Sequence, residues 1–242
     1  MNFIAVIPAR WQSSRFPGKP LALLNDKSVI QHVYENVLNS GLFQQVIVAT
    51  DSQIILDAVH AFGGTAQMTS SDHHSGTDRI AEVCQTLDFD VVVNVQGDEP
   101  FISSEPLKCL ISAFLDPKVQ VASLMHRISG KIDDHNQVKV VCDIHGYALY
   151  FSRSVIPFNR DYNSDVEYFG HVGVYAFRRE ALFKFIALPT AKLENIEKLE
   201  QLRLLENGIP IKMISTNYAG LGIDTPENLV QAKKLLHPNL TT

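Results

Sequence analysis

Val91-Val92-Val93-Asn94-Val95-Gln96-Gly97-Asp98-Glu99-Pro100 is the stretch from which the fold is read. The valines put apolar side chains on both faces of an extended segment. Such a run suits a central strand of a parallel sheet covered by helices. Upstream, Phe3-Ile4-Ala5-Val6-Ile7 reads as a first strand ended by Pro8. Residues 28–38 read as a helix, with Val29, Ile30, Val33, Val37 and Leu38 at helical spacing. Val46-Ile47-Val48-Ala49-Thr50 is a second strand. Ser52 is placed to cap the helix that follows, which ends at Gly63-Gly64. Residues 77–87 form a third helical pattern. Strand and helix alternating at this spacing predict a doubly wound α/β fold.

Downstream the pattern is more mixed. Val138-Lys139-Val140-Val141 and Tyr147-Ala148-Leu149-Tyr150-Phe151 flank a hairpin loop at 143–146, and 171–177 is another strand. Residues 193–207 read as one helix closed by Gly208. Thr225-Pro226-Glu227 opens a final helix, with Thr at the cap and Pro at the first helical position. No linker or repeat divides the 242 residues, 45% of them hydrophobic. That length suits a single domain, residues 1–242, with a subsidiary lobe.

The net charge of -5 gives no reason to expect a nucleic-acid partner. Three cysteines, Cys84, Cys109 and Cys142, form no C-x-x-C pair, so buried thiols are expected rather than disulfides or zinc. No apolar run approaches the roughly 20 residues that span a bilayer. Met1-Asn2-Phe3-Ile4-Ala5-Val6-Ile7 lacks a positive n-region and a cleavage site, so it reads as a strand and not a signal peptide. The expectation is a cytoplasmic protein without a membrane partner.

Chemistry concentrates at the strand ends. After the first strand comes Pro8-Ala9-Arg10-Trp11-Gln12-Ser13-Ser14-Arg15-Phe16-Pro17-Gly18-Lys19-Pro20-Leu21. In an open α/β sheet, ligands bind beyond the carboxyl ends of the strands. Arg10, Arg15 and Lys19 could neutralise a polyphosphate there, and Ser13, Ser14 and Gly18 permit close backbone approach. The loop is neither a Walker A motif nor a G-x-G-x-x-G fingerprint, and a solvated basic loop is the plain alternative. Asp98 ends the valine strand, where an acid can hold Mg²⁺ beside phosphates. Gly, Asp and Pro also make ordinary turns. Asp224, in Gly222-Ile223-Asp224-Thr225-Pro226-Glu227, is either a second acid or part of a helix start. Adjacent His73 and His74 do not face each other on a helix and suggest no metal site.

The basic loop, Met68-Thr69-Ser70, Ser75-Gly76-Thr77-Asp78-Arg79, Val95 to Pro100, Ala148-Leu149-Tyr150-Phe151-Ser152-Arg153, His171-Val172-Gly173-Val174-Tyr175, Leu199-Glu200-Gln201-Leu202-Arg203 and Gly222-Ile223-Asp224-Thr225-Pro226 occur together and in order. The set closely resembles the 3-deoxy-manno-octulosonate (Kdo) cytidylyltransferases, over nearly the whole chain. Each motif alone is weak; the ordered set is specific. Sialic acid cytidylyltransferases differ after the Pro-Ala-Arg, and sugar-1-phosphate nucleotidylyltransferases begin with a Gly-rich loop instead.

The resemblance implies a Rossmann-like nucleotide-diphospho-sugar transferase fold, with a mixed, mainly parallel sheet. It also implies a small β-rich sugar-binding and dimerisation lobe around 138–180. It implies CTP and Kdo as substrates, Mg²⁺ as cofactor, and a homodimer serving lipopolysaccharide or capsule synthesis. It assigns Arg10, Lys19 and Asp98 to catalysis, and Arg10, Arg15, Lys19, Ser75 and Arg79 to the nucleotide. Gln96, Arg153, Arg160, His171, Glu200 and Gln201 go to the sugar, with His171 as an interior histidine the alternative. Asp98 and Asp224 go to the metal. One position departs from the family: the residue before the His-x-Gly segment is commonly basic, and here it is Gly170 after a short stretch. A cation lost near the sugar would make a related acid, such as 8-amino-Kdo, the alternative substrate.

Overall fold

The computed structural model describes residues 1–12, 15–162 and 165–236. Two compact units emerge, one of residues 1–107 with 220–242 and one of residues 108–219. The first contains β1 (Phe3–Ala9), the short hairpin β2 (Leu23–Leu24) and β3 (Lys27–Ser28), α1 (Val29–Asn39), β4 (Gln45–Thr50), α2 (Gln53–Ala61), β5 (Ala66–Met68), α3 (Gly76–Cys84) and β6 (Val91–Asn94). The boundary falls within α4 (Ser104–Ser112). The second holds β7 (Val121–Arg127), β8 (Lys139–Cys142), β9 (Ala148–Ser152), β10 (Phe169–Arg178), α5 (Arg179–Ile186), α6 (Lys192–Glu197), α7 (Gln201–Glu206) and β11 (Ile211–Ser215). α8 (Pro226–Leu236) belongs to the first unit again. The class is α/β with a mixed, mainly parallel sheet, as the sequence predicts.

In the first unit the strands run in the order β6-β1-β4-β5, all parallel. Ala5 lies beside Val46 on one side and Val93 on the other. Ile4, Val6, Ile7, Val91, Val92 and Val93 are all buried, so both faces of β1 and β6 are covered. Each such side chain contributes roughly 1.5–3 kcal/mol through burial. Parallel strands end on one edge, which gathers the loops after β1 and β6 at the same place.

In the first unit the helices follow their local signals with two exceptions. Ser28 caps α1 by accepting the Gln31 amide, but Tyr34 is buried where Leu38 was expected, and Leu38 faces solvent. Ser52 stands at the start of α2 without making a side-chain cap bond. Ser75 and Asp78 form a capping box on α3.

The second unit orders its strands β11-β7-β10, with β8 joined to β10 and β9 to β8. β7 and β11 are parallel, whereas β10 runs antiparallel to β7. The β8–β9 hairpin forms where the sequence places it, and the expected lobe, 138–180, lies inside this unit. Tyr175, Phe177 and Phe185 stack in its core. The helix expected over 193–207 is instead two helices, broken at Lys198, whose φ is +56°. The break lets Arg203 of α7 meet Glu194 of α6, with Nη2–Oε1 2.5 Å and Nε–Oε2 2.8 Å. Both residues are buried, and leaving either without the other would strand a charge in the interior.

Candidate active site

The loop after β1 closes on itself. The Gly18 amide donates to the Trp11 carbonyl at 3.0 Å, and Gly18 has φ +72°, where a Cβ would lie 3.2 Å from the Trp11 ring. A glycine tolerates that backbone, which side-chain-bearing residues rarely adopt. Lys19 therefore leaves the turn pointing inward. Gly97 is required for a different reason. A Cβ there would lie 2.7 Å from the Pro8 carbonyl, so the loops after β1 and β6 touch backbone to backbone. Ser13 and Ser14 lie outside the described residues.

Asp224 reaches the same place from the far end of the chain. The Ile223 amide donates to the Asp98 carbonyl at 2.8 Å, which sets Asp224 beside Asp98. Ile223 is buried with Leu24, Val29 and Ala232, so α8 is packed against the β2–β3 hairpin. Asn228 Oδ1 accepts the amides of Asp224 and Thr225, and the Thr225 hydroxyl accepts the Asn228 amide, fixing the helix start. Asp224 is thus held by a cap and also faces Lys19.

The two carboxylates converge on one ammonium. Lys19 Nζ donates to Asp98 Oδ2 at 2.5 Å and to Asp224 Oδ1 at 2.9 Å, and Arg15 pairs with Asp224 Oδ2 at 3.0 Å. The Lys19 and Asp98 side chains are 16% and 22% exposed, so that pair is poorly screened. Burial works against the Lys19 charge, yet Asp98 and then Asp224 outweigh it and hold the pKa above the usual lysine value. Burial likewise opposes the Asp224 charge, and Lys19 and Arg15 overcome it, holding that carboxyl below its usual range. A divalent cation and an ammonium favour the same hard oxygens, so this donor set fits Mg²⁺ completed by substrate phosphates.

Lys19, Asp98 and Asp224 line a cleft of about 250 Å³ in the first unit, together with Arg10, Ser75, Arg79, Gln96, His73 and His74. Arg10 is exposed at it. Gln96 donates to Asn94 Oδ1 at 3.0 Å, within reach of Gly76. Ser75 is engaged in its capping box. The Arg79 guanidinium is committed to the fold, donating to Asp51 at 2.7 Å, Thr69 at 2.5 Å and the Ser70 carbonyl at 3.3 Å. It shapes the wall of the cleft through that clamp. The sequence suggests no metal site at His73 and His74. His73 pairs with Glu82, a contact that i to i+9 spacing does not announce.

The second unit holds the remaining sugar candidates. The His171 ring packs against Phe151 and Tyr175, and its Nε2 lies 2.8 Å from Ser123 Oγ. Ser123 has one hydrogen, which it gives to the Val174 carbonyl at 2.9 Å. Nε2 of His171 is then the donor, leaving Nδ1 as an acceptor. Burial pushes its pKa down to about 3, so the ring is neutral. Glu200 lies close enough to Tyr175 to help burial raise that phenol well above its usual pKa. Gln201 is buried at the start of α7. Arg160 is exposed between β9 and β10. Arg153 is spent on backbone: Nε donates to Glu197 O at 2.8 Å, Nη1 to His135 O at 3.0 Å and Nη2 to Lys198 O at 3.5 Å.

Gly170 occupies the face of β10 opposite His171. Its cross-strand partner is His126, whereas His171 pairs with Met125. A Cβ at 170 would lie 2.6 Å from His126 Nε2, so the ring of His126 fills the space a side chain would take.

A sequence model of the cytidylyltransferase family matches residues 4–214. The chain is 50% identical over 241 residues to the 3-deoxy-manno-octulosonate cytidylyltransferase of Flavobacterium johnsoniae, covering 98% of this chain and 99% of that protein. Its counterpart in Trichlorobacter lovleyi is 48% identical, with 97% and 98% covered. The solved structure of a CMP:2-keto-3-deoxy-manno-octonic acid synthetase complexed with CTP superposes with a TM-score of 0.94 at 43% identity, covering 99% of this chain and all of that one. A 4-diphosphocytidyl-2C-methyl-D-erythritol synthase from Anaerococcus prevotii, 17% identical with a TM-score of 0.65 and 97% and 98% covered, shares the fold.

Proposed function

This chain belongs to the 3-deoxy-manno-octulosonate cytidylyltransferase family, and we propose that it transfers the cytidylyl group of CTP to the anomeric hydroxyl of Kdo, releasing pyrophosphate. The observation that carries the reading is the Lys19 ammonium set between Asp98 and Asp224 in a cleft also lined by Arg10.

The sugar hydroxyl forms a bond to the α-phosphorus and loses its proton to water as the bond to the pyrophosphate oxygen breaks. Negative charge grows on the phosphoryl oxygens, so preorganised positive groups lower the barrier. Lys19 leaves its two carboxylates for the triphosphate, and Arg10 and Arg15 hold the outer phosphates. Asp98 and Asp224 would bind Mg²⁺, which supplies polarisation of the phosphoryl oxygens. Ser75 and the Arg79 clamp shape the region beside the nucleoside. Gln96, Arg153, Arg160, His171, Glu200 and Gln201 serve the sugar. Neutral His171 offers Nδ1 to a hydroxyl, and the Arg153 clamp frames the turn that carries Glu200. The relatives matched across nearly their full length carry the Kdo name and not that of its 8-amino analogue, which supports Kdo as acceptor.

No helix among the described residues is long and apolar enough to cross a membrane, which is compatible with a cytoplasmic enzyme making CMP-Kdo for lipopolysaccharide or capsule. Ile144, Leu149, Phe158, Tyr162 and Ile196 are exposed in the second unit, an apolar set suited to a homodimer contact. The deciding experiment measures pyrophosphate release with Mg²⁺, each nucleoside triphosphate, and Kdo, 8-amino-Kdo or sialic acid. Release confined to CTP with Kdo is expected. Turnover of another sugar in preference would overturn the acceptor, and turnover of another nucleotide would overturn the donor.

A further inference from the structure

Lys139 begins β8 with its side chain fully buried. Burying an ammonium is costly unless each N–H finds an acceptor. Here all three do. Nζ donates to the carbonyls of Asp134 at 2.7 Å, Gln137 at 2.9 Å and Arg153 at 2.9 Å. No ion pair joins it among the described residues. Burial holds its pKa below the usual lysine value, against the pull of Asp134 and Asp133. A group this expensive, spent on main chain alone, fixes backbone positions.

The positions it fixes belong to one network. The Arg153 guanidinium bonds the carbonyls of His135, Glu197 and Lys198, while its amide donates to Glu197 Oε2 at 3.0 Å and Ser152 Oγ donates to Glu197 Oε1 at 2.6 Å. Residues 134–137, the end of β9 and the end of α6 are thereby joined. Lys198 then turns the chain through its left-handed conformation, and Glu200 and Gln201 follow at once. The place where Glu200 and Gln201 stand depends on Arg153, whose carbonyl rests on Lys139.

We propose that Lys139 is a positioning residue for the acceptor sugar: without touching substrate, its ammonium locks Arg153 and the 197–201 turn in the arrangement that presents Glu200 and Gln201. The proposal rests on assigning those two residues to the sugar. It differs from a general stabilising role because the frame lies in the second unit, whereas the Lys19 cleft lies in the first.

The test is steady-state kinetics on the full chain, titrating CTP and Kdo separately, for Lys139→Met, Lys139→Arg and Glu200→Gln. Lys139→Met should raise KM for Kdo at least tenfold and leave KM for CTP within about twofold, with the thermal shift caused by CTP retained. Lys139→Arg, which keeps the charge, should recover part of the loss. Equal changes in both KM values, or a lower Tm with unchanged kinetics, would overturn the proposal. If Lys139→Met does not fold, Glu197→Gln, which weakens the same frame, is judged by the same split. Glu200→Gln separates the two ideas. No rise in KM for Kdo there removes the sugar assignment and the proposal with it; a rise there without one in Lys139→Met or Glu197→Gln removes the proposal alone.

Discussion

Lys19 meets both Asp98 and Asp224, so removing Lys19 leaves two neighbouring carboxylates without the ammonium between them, and removing either acid leaves Lys19 with one. Asp98→Asn should lower kcat by orders of magnitude while far-ultraviolet circular dichroism stays native, since the fold around Asp98 rests on backbone bonds. Near-normal turnover with Mg²⁺ would take Asp98 out of the metal site. Lys19→Ala should lower kcat as well as raise KM for CTP, the signature of a contact strengthened in the transition state. A change in KM alone would make it a uniform binder. At Gly170 the expectation concerns packing. Gly170→Ala drives a methyl into His126 and Gln137, while His126 Nδ1 is held by the Arg127 carbonyl. A cost of about 1–2 kcal/mol follows, readable by denaturant melts. Adding His126→Ala should make the pair less than additive.

Among elements, β7 and β10 carry the acid sensitivity. His171, enclosed by Phe151, Tyr175 and Ser123, has a pKa of about 3 against an ordinary 6.5. Between those values the unfolded chain binds a proton that the folded one refuses. Stability should therefore fall as pH drops from about 6.5 toward 3, by up to roughly 1.4 kcal/mol per pH unit from this residue. His126, also depressed by burial, adds the same sign. His171→Phe should flatten the slope in melts recorded across that range; an unchanged slope would place the sensitivity elsewhere. Elements were unequally legible in the sequence. β1, β4 and β6 announce themselves because both their faces are apolar. The break at Lys198 does not, since leucines keep helical spacing through it and the Glu194–Arg203 pair that it permits joins residues nine apart. Arg79 was assignable to the nucleotide region but not to its clamp, because Asp51 lies 28 residues away.

For the molecule as a whole, the alternation of elements told the class and the ordered motifs told the family. The division at Leu107 and Gly220 left no mark, because it falls inside α4 on one side and in a continuous loop on the other. Association belongs to this scale. For the proposed homodimer joined through the exposed hairpin, Ile144→Lys with Leu149→Glu should shift sedimentation from dimer to monomer; a monomeric parent chain would remove the dimer, and a dimer that survives both changes would move the interface elsewhere.

The backbone bond from Ile223 to Asp98 has a consequence for how the protein is made. A ribosome delivers the basic loop and Asp98 first, then the entire second unit, and Asp224 only after it. Until then Lys19 has one acid where the finished cleft has two. A nascent or prematurely released chain can form the parallel strands of the first unit, yet it carries an excess of positive charge at their edge. Emergence of residue 224, and not the folding of any single layer, is what balances the site.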